Sequence, residues 1–231
     1  MLEARDLYSF YGKSPVLQGV NFKAGKGELF SILGRNGVGK TTLLKSIMGL
    51  TDGIKGSLRF KEESIGELPT PERARRRIGY IPQGRAIIPR FTVKENILMG
   101  AFGREDGRRE MPEGVLELFP ILKEFMNRRG GDLSGGQQQQ LAIARALALG
   151  PEVLLLDEPT EGIQPNIVQQ IEEVIVHLNK KMGITILLVE QNIPFARRVS
   201  DKFIVLDKGR VAMAGSAEDL TDEVAHEFLA F

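Results

Sequence analysis

Hydrophobic and polar positions along this chain change period several times, and each change marks an element. Val16-Leu17-Gln18-Gly19-Val20-Asn21-Phe22 alternates in the manner of a half-buried strand. Leu29-Phe30-Ser31-Ile32-Leu33 reads as a short buried strand, and the spacing of Leu43, Leu44, Ile47 and Met48 predicts a helix over 41–48. Strand signals then thin out between 84 and 150. Pro82, Pro89, Pro112 and Pro120 punctuate this region, which carries helical segments at 93–99 and 113–119. A longer helix over 137–149 draws its apolar surface from Leu141, Ala142, Ala144, Ala146 and Leu147. From 151 onward strand and helix alternate again, at 153–157, 165–181, 185–190 and 203–207. The unbroken run Val153-Leu154-Leu155-Leu156 fits a strand buried on both faces of a parallel sheet. The helix over 165–181 turns Ile167, Ile171, Val174, Ile175 and Leu178 to the core and leaves His177 on its polar side. Gly209, Gly215 and Ser216 mark a final turn and a capped helix from about 217. The alternation predicts an α/β fold with a parallel sheet and crossover helices.

Composition narrows the picture. The chain has 231 residues, enough for one large domain or a core with a subdomain, and no repeat, low-complexity tract or linker divides it. A formal net charge of +1 gives no global pull toward nucleic acid or an anionic membrane. Arg73, Arg75, Arg76 and Arg77 form a local basic run, expected to be a solvated helix face, with a membrane-surface or phosphate-contacting patch as the sharper alternative. There is no cysteine, so disulfides and thiolate metal sites do not arise. The start, Met1-Leu2-Glu3-Ala4-Arg5-Asp6, lacks an apolar core, so no signal peptide is expected. No apolar run approaches the ~20 residues that span a bilayer.

Two loops carry the chemistry. Gly34-Arg35-Asn36-Gly37-Val38-Gly39-Lys40-Thr41 fits the phosphate-binding pattern G-x-x-x-x-G-K-[ST], and with Thr42 forms the candidate ATP-binding loop. Its glycines let backbone amides approach phosphate oxygens, and the helix that follows points the positive end of its dipole at them. Lys40 is expected to reach the β- and γ-phosphates and Thr41 to offer its hydroxyl to Mg²⁺. At the end of the apolar run stand Asp157 and Glu158. Asp157 is placed to bind Mg²⁺ through water, and Glu158 to orient or deprotonate the attacking water.

The second loop is Leu133-Ser134-Gly135-Gly136-Gln137, in which Ser134 is a good N-cap for the helix that follows. With this sequence and the P-loop together, nearly the whole chain resembles the nucleotide-binding subunits of ABC transporters. The resemblance implies a P-loop NTPase core with a mainly parallel sheet, an N-terminal antiparallel β portion and an inserted α-helical subdomain bearing the signature. Residues 1–83 and 151–231 would form the nucleotide-binding core, and 84–150 the helical subdomain. It further implies a head-to-tail dimer in which Ser134, Gly135, Gly136 and Gln137 of one subunit cover the ATP held by the other, with Mg²⁺ as cofactor. Tyr11 matches the aromatic residue that stacks on adenine, although a tyrosine there can equally fill a sheet edge beside Tyr8 and Phe10. Gln83, in Tyr80-Ile81-Pro82-Gln83, matches the glutamine that contacts Mg²⁺ or the attacking water, its plainer reading being a polar residue after a strand.

Two positions depart from the family. Gln191, in Glu190-Gln191-Asn192, stands where a histidine usually contacts the γ-phosphate, and the only histidines are His177 and His226. Glu161-Gly162-Ile163-Gln164 replaces a motif that often ends in aspartate. Glutamine donates a hydrogen bond but carries no proton or charge near neutral pH, so hydrolysis is expected to rest chiefly on Glu158 with Gln191 as a neutral positioner. The Glu-Gln-Asn ending and compact length resemble the ATPases of branched-chain or hydrophobic amino-acid importers. Expected partners are a second cassette, identical or related, transmembrane permease subunits and, indirectly, a substrate-binding protein, with no nucleic acid. The expected location is cytoplasmic, on the inner face of the cell membrane. Ala86, Ile87, Ile88, Phe91 and Val93 either line a groove for a permease helix or form the subdomain's own small core.

Overall fold

The computed structural model describes residues 1–224. The chain opens with β1 (Leu2–Tyr11) and β2 (Ser14–Ala24), an antiparallel pair whose inward residues Leu2, Ala4, Leu7, Leu17, Val20 and Phe22 are buried. β3 (Leu29–Leu33) is buried throughout and leads into α1 (Lys40–Met48). β4 (Gly53–Phe60) returns to pair with β1, and β5 (Glu63–Ser64) completes an antiparallel sheet of order β2-β1-β4-β5. After α2 (Thr70–Arg75) comes β6 (Ile78–Ile81).

Residues 82–152 then carry helices and turns, with one isolated antiparallel bridge between Thr92 and Arg129. The helices are α3 (Val93–Gly100), α4 (Val115–Leu118), α5 (Pro120–Glu124) and α6 (Gly135–Ala148). The helix expected over 113–119 is present but shorter, at 115–118, and a second one, α5, follows it. Gly114 sits in the left-handed region at φ 76, which delays the start, and Pro120 forces Phe119 out of the helical well before opening α5. α3 crosses α6 so closely that a Cβ on Gly100 would lie 1.8 Å from the Arg145 carbonyl oxygen.

The regular alternation resumes with β7 (Val153–Asp157), α7 (Pro165–Lys180), β8 (Thr185–Val189), α8 (Ile193–Val199), β9 (Lys202–Asp207) and β10 (Arg210–Ser216). Their sheet has order β10-β9-β3-β8-β7-β6 and is parallel except for the β9–β10 hairpin. One face packs with α1 and the antiparallel sheet around Leu43, Leu44, Ile47, Val153 and Leu155. The opposite face packs with α3, α6 and α7 around Ile97, Leu141, Leu154, Ile171 and Ile175. His177 is exposed on α7, and Ile167 and Val174 are only half-buried there. At the end of the hairpin Ser216 stands at the N-cap of a single turn over Ala217–Asp219, shorter than the helix expected from 217, because the chain leaves the helical conformation at 220–221; residues beyond 224 lie outside those described.

One expectation fails. Arg73 is not part of a solvated face: only 3% exposed, it lies under α1. Its guanidinium donates to the carbonyls of Ser46 (2.7 Å), Ile47 (2.8 Å), Gly66 (2.8 Å) and Leu68 (2.7 Å), tying the last turn of the P-loop helix to the segment before α2, with Ser46 accepting from the Gly49 amide as well. Arg75 and Arg77 are exposed and Arg76 is half-buried.

Candidate nucleotide site

Parallel α/β sheets present ligand sites at the carboxyl ends of their strands, and here the ends of β3, β7 and β8 meet. The loop after β3 needs its glycines. Gly34, at φ 144, would drive a Cβ to 2.5 Å from the Leu206 carbonyl oxygen, and Gly39, at φ 113, would press one to 2.9 Å from Leu17 Cδ2. The turn they permit aims the first amides of α1 into a cavity of about 290 Å³ lined by Val16, Asn36, Gly37, Gly39, Lys40, Thr41, Thr42, Gln83 and Glu158. Arg35 borders this loop, and Val38 packs against the core beneath it.

Lys40 is only 4% exposed, and its ammonium donates to the carbonyls of Gly34 (2.7 Å) and Arg35 (3.0 Å). It also lies 3.4 Å from Glu158 Oε1. Gln191 Nε2 donates to the same oxygen at 2.7 Å and to Asn36 Oδ1 at 2.8 Å. Gln83 Nε2 donates to Glu158 Oε2 at 3.2 Å and to Glu161 Oε2 at 2.8 Å. Three strands' worth of loops therefore converge on one carboxylate, whose backbone is held in the left-handed region at φ 49.

Asp157 is buried beside it. Thr41 Oγ1 donates to its Oδ1 at 3.0 Å and the Tyr80 hydroxyl to its Oδ2 at 3.2 Å. Burial raises the Asp157 carboxyl above the ordinary range, against the hydrogen bonds from Thr41 and Tyr80 and with a smaller push from the Glu158 charge. The same burial, with the Asp157 charge, pushes the Tyr80 phenol up. A hydroxyl and a buried carboxylate next to a phosphate loop suit a small hard cation. Among the described residues no cluster of three acidic, histidine or cysteine side chains forms a metal cage. The donor set therefore fits a Mg²⁺ that takes its remaining ligands from phosphate and water.

Other expected residues lie apart from this cluster. None of residues 134–137 lines the cavity. Ser134 caps α6, accepting from the Gln137 amide at 3.4 Å, while Gln137 Oε1 accepts from the Ser134 amide at 2.9 Å. Gly135 and Gly136 begin the helix, so their amides precede the intrahelical ladder, and Gly136 is pinned because a Cβ there would meet Ile167 Cγ2 at 2.6 Å. Tyr11 ends β1 with 39% of its surface exposed. Of the residues after Gln83, Val93 is buried, Ile87 and Ile88 are half-buried, and Ala86 and Phe91 are exposed.

Sequence reasoning missed Val16 as a cavity wall, Tyr80 as a partner of Asp157 and Glu161 as an acceptor for Gln83. It also missed Arg145 of α6, whose guanidinium donates to the carbonyls of Ala86 (2.7 Å) and Arg85 (3.0 Å). Residues 84–86 all lie in the left-handed region, so this arginine clamps a strained turn directly after Gln83. Only Tyr80 had an available signal, its adjacency to Gln83 on the strand beside β7.

A P-loop at the head of a parallel sheet, with a helical insert carrying a capped glycine pair, defines a nucleotide-binding ATPase cassette. The ABC transporter family profile matches residues 17–161, and the chain belongs to that family, whose ATP-binding subunits hydrolyse ATP to power transport. It is 43% identical to the high-affinity branched-chain amino acid transport ATP-binding protein BraG of Pseudomonas aeruginosa, over 92% of this chain and 91% of that protein. It is 36% identical to the probable branched-chain amino acid transport ATP-binding protein LivF of Archaeoglobus fulgidus, over 99% and 98% of the two chains. Among solved structures, a dimeric post-hydrolysis ATP-binding cassette bound to ADP and Pi superposes with a TM-score of 0.83 at 30% identity, covering 94% of this chain and 99% of that one. No helix among the described residues is long and apolar enough to cross a membrane.

Proposed function

We propose that this chain is the ATP-hydrolysing subunit of an importer for branched-chain or other hydrophobic amino acids, working in a head-to-tail pair of cassettes on the inner face of the membrane. Residues 34–42 hold the phosphates and Tyr11 stacks on adenine. Thr41, Asp157 and Gln83 would hold Mg²⁺, which would supply neutralisation of the phosphate charge. Glu158 is the general base for the attacking water, and Gln83 and Gln191 orient it. Ser134, Gly135, Gly136 and Gln137 of a second copy, or of a related cassette, close over the γ-phosphate with helix-terminal amides. ATP binds the closed pair more tightly than the open one and so draws the helical subdomains and the attached permease subunits with it. Hydrolysis resets the pair. A groove beside Ile87 and Phe91 receives the permease, and charge reversals there should uncouple transport from ATP turnover.

The convergence of Lys40, Gln83 and Gln191 on the Glu158 carboxylate carries this reading. It is tested by single-turnover hydrolysis. Glu158→Gln is expected to cut the rate by more than about a hundredfold, as loss of a general base does, while Gln191→Ala costs about tenfold, the worth of one hydrogen bond. A mild Glu158→Gln beside a dead Gln191→Ala would reverse the roles. An ABC-type ATPase outside transport, or a clamp that holds ATP with very slow turnover, would instead show no co-purifying permease or no steady phosphate release.

A further inference from the structure

Glu190 follows β8 with its side chain folded inside the protein, 3% exposed, and the chemistry above makes no use of it. An ionised carboxylate so buried is costly unless donors surround it, and here three do. Thr160 Oγ1 donates to Oε1 at 2.7 Å, and the backbone amides of Gln191 and Asn192 donate to Oε2 at 3.0 and 3.1 Å. Burial raises its carboxyl, with those three hydrogen bonds opposing.

The identity of the donors matters more than their number. Thr160 lies two residues beyond Glu158, in the loop joining β7 to α7. Gln191 is the residue whose side-chain amide reaches Glu158 Oε1 at 2.7 Å. Glu158, Thr160, Glu190 and Gln191 therefore close a ring: covalent from 158 to 160 and from 190 to 191, hydrogen-bonded at its two other edges. A third tie, the Glu158 amide donating to the Val189 carbonyl at 3.0 Å, runs across its base. The ring joins the loops that follow β7 and β8, and it carries a base whose own backbone is in a sparsely populated region at φ 49.

We infer that Glu190 is a positioning residue, which through Thr160 locks the Glu158 loop to the Gln191 turn so that base and amide keep one geometry over the γ-phosphate. This rests on the reading of Glu158 as the base. Thr160→Val removes the donor and keeps the shape, whereas Thr160→Ser restores the hydroxyl.

In the full chain, ATP turnover, ATP affinity and melting temperature are measured together. Thr160→Val is expected to lower turnover by about tenfold, the scale of a small misplacement at a reacting centre, with affinity unchanged and melting temperature lower only by the few degrees that one lost donor to a buried carboxylate costs. Thr160→Ser should recover most of the loss. On a Gln191→Ala background, where the ring is already open, Thr160→Val should have a much smaller effect. Unchanged turnover in Thr160→Val, failure of serine to rescue, or a fall in turnover that tracks melting temperature and affinity would each overturn the inference. Glu158→Gln in the same assay separates the two readings: retained turnover there sinks the base assignment whatever Thr160 does.

Discussion

At the scale of single residues the site is a set of buried charges held by donors, and this makes its acids expensive. Asp157 is 1% exposed and its carboxyl is raised by burial. The folded chain thus binds that proton more tightly than the unfolded one. The group's favourable contribution is complete below the ordinary carboxylate range and is lost as pH rises through the raised value. At neutral pH the ionised acid is a net cost. Asp157→Asn, melted without nucleotide or metal, is therefore expected to unfold about 3 °C above the parent at neutral pH, what ~1 kcal/mol gives in a chain of this size. The advantage should shrink as pH falls through the carboxylate range. A melting point below the parent's at neutral pH would show that the Thr41 and Tyr80 hydrogen bonds outweigh desolvation. Such a gain at the expense of function is the usual pattern for residues kept for chemistry.

Among the elements, α1 does most to define the site, and both of its ends are fixed. Gly39 shapes its start, while Arg73 binds carbonyls of its last turn from below. Arg73→Met keeps the apolar stem but takes the guanidinium donors from four carbonyls, of which Ser46 keeps the Gly49 amide, and chemical denaturation is expected to show a loss of about 3 kcal/mol. A loss under about 0.5 kcal/mol, typical of exposed arginines, would mean that solvent reaches those carbonyls. Arg73 also marks where the sequence stops being legible. The P-loop, the apolar run ending in Asp157 and the Ser134 cap announce themselves over a few adjacent residues, because each is a local arrangement. An arginine's burial depends on carbonyls from 46 to 68 that only the folded chain assembles, and no pattern in the run at 73–77 separates one member from its solvated neighbours. Glu190 is of the same kind, since its Thr160 partner comes from the loop after the neighbouring strand β7. The late start of α4 is different: Gly114, which takes the left-handed region at φ 76, and Pro120, which opens α5, both stand in the sequence itself.

For the whole molecule, the signature and the phosphate loop belong to different parts of the chain, and residues 134–137 contribute nothing to the cavity that holds Lys40. Gly135 and Gly136 nevertheless present helix-terminal amides without intrahelical acceptors, the kind of donor an anion seeks. In the proposed pair, the nucleotide held by a second cassette is that anion. Glu158→Gln with MgATP is expected to sediment as a dimer, while the same variant also carrying Ser134→Arg stays monomeric and binds ATP with an affinity within about twofold. A strictly monomeric Glu158→Gln, even with its natural companions present, would remove the paired-cassette reading. The change of period along the chain foreshadows the run of helices and turns over 82–152; the proposed pairing has no such signal and rests on the signature sequence alone.

The left-handed backbone at Glu158 reaches beyond any one turnover. Few side chains sit comfortably at φ 49, and glycine or asparagine would relax there what glutamate endures. On the reading of Glu158 as the base, either replacement eases the local backbone while ending the chemistry, so the proposed work is held against a conformational pull at its own centre.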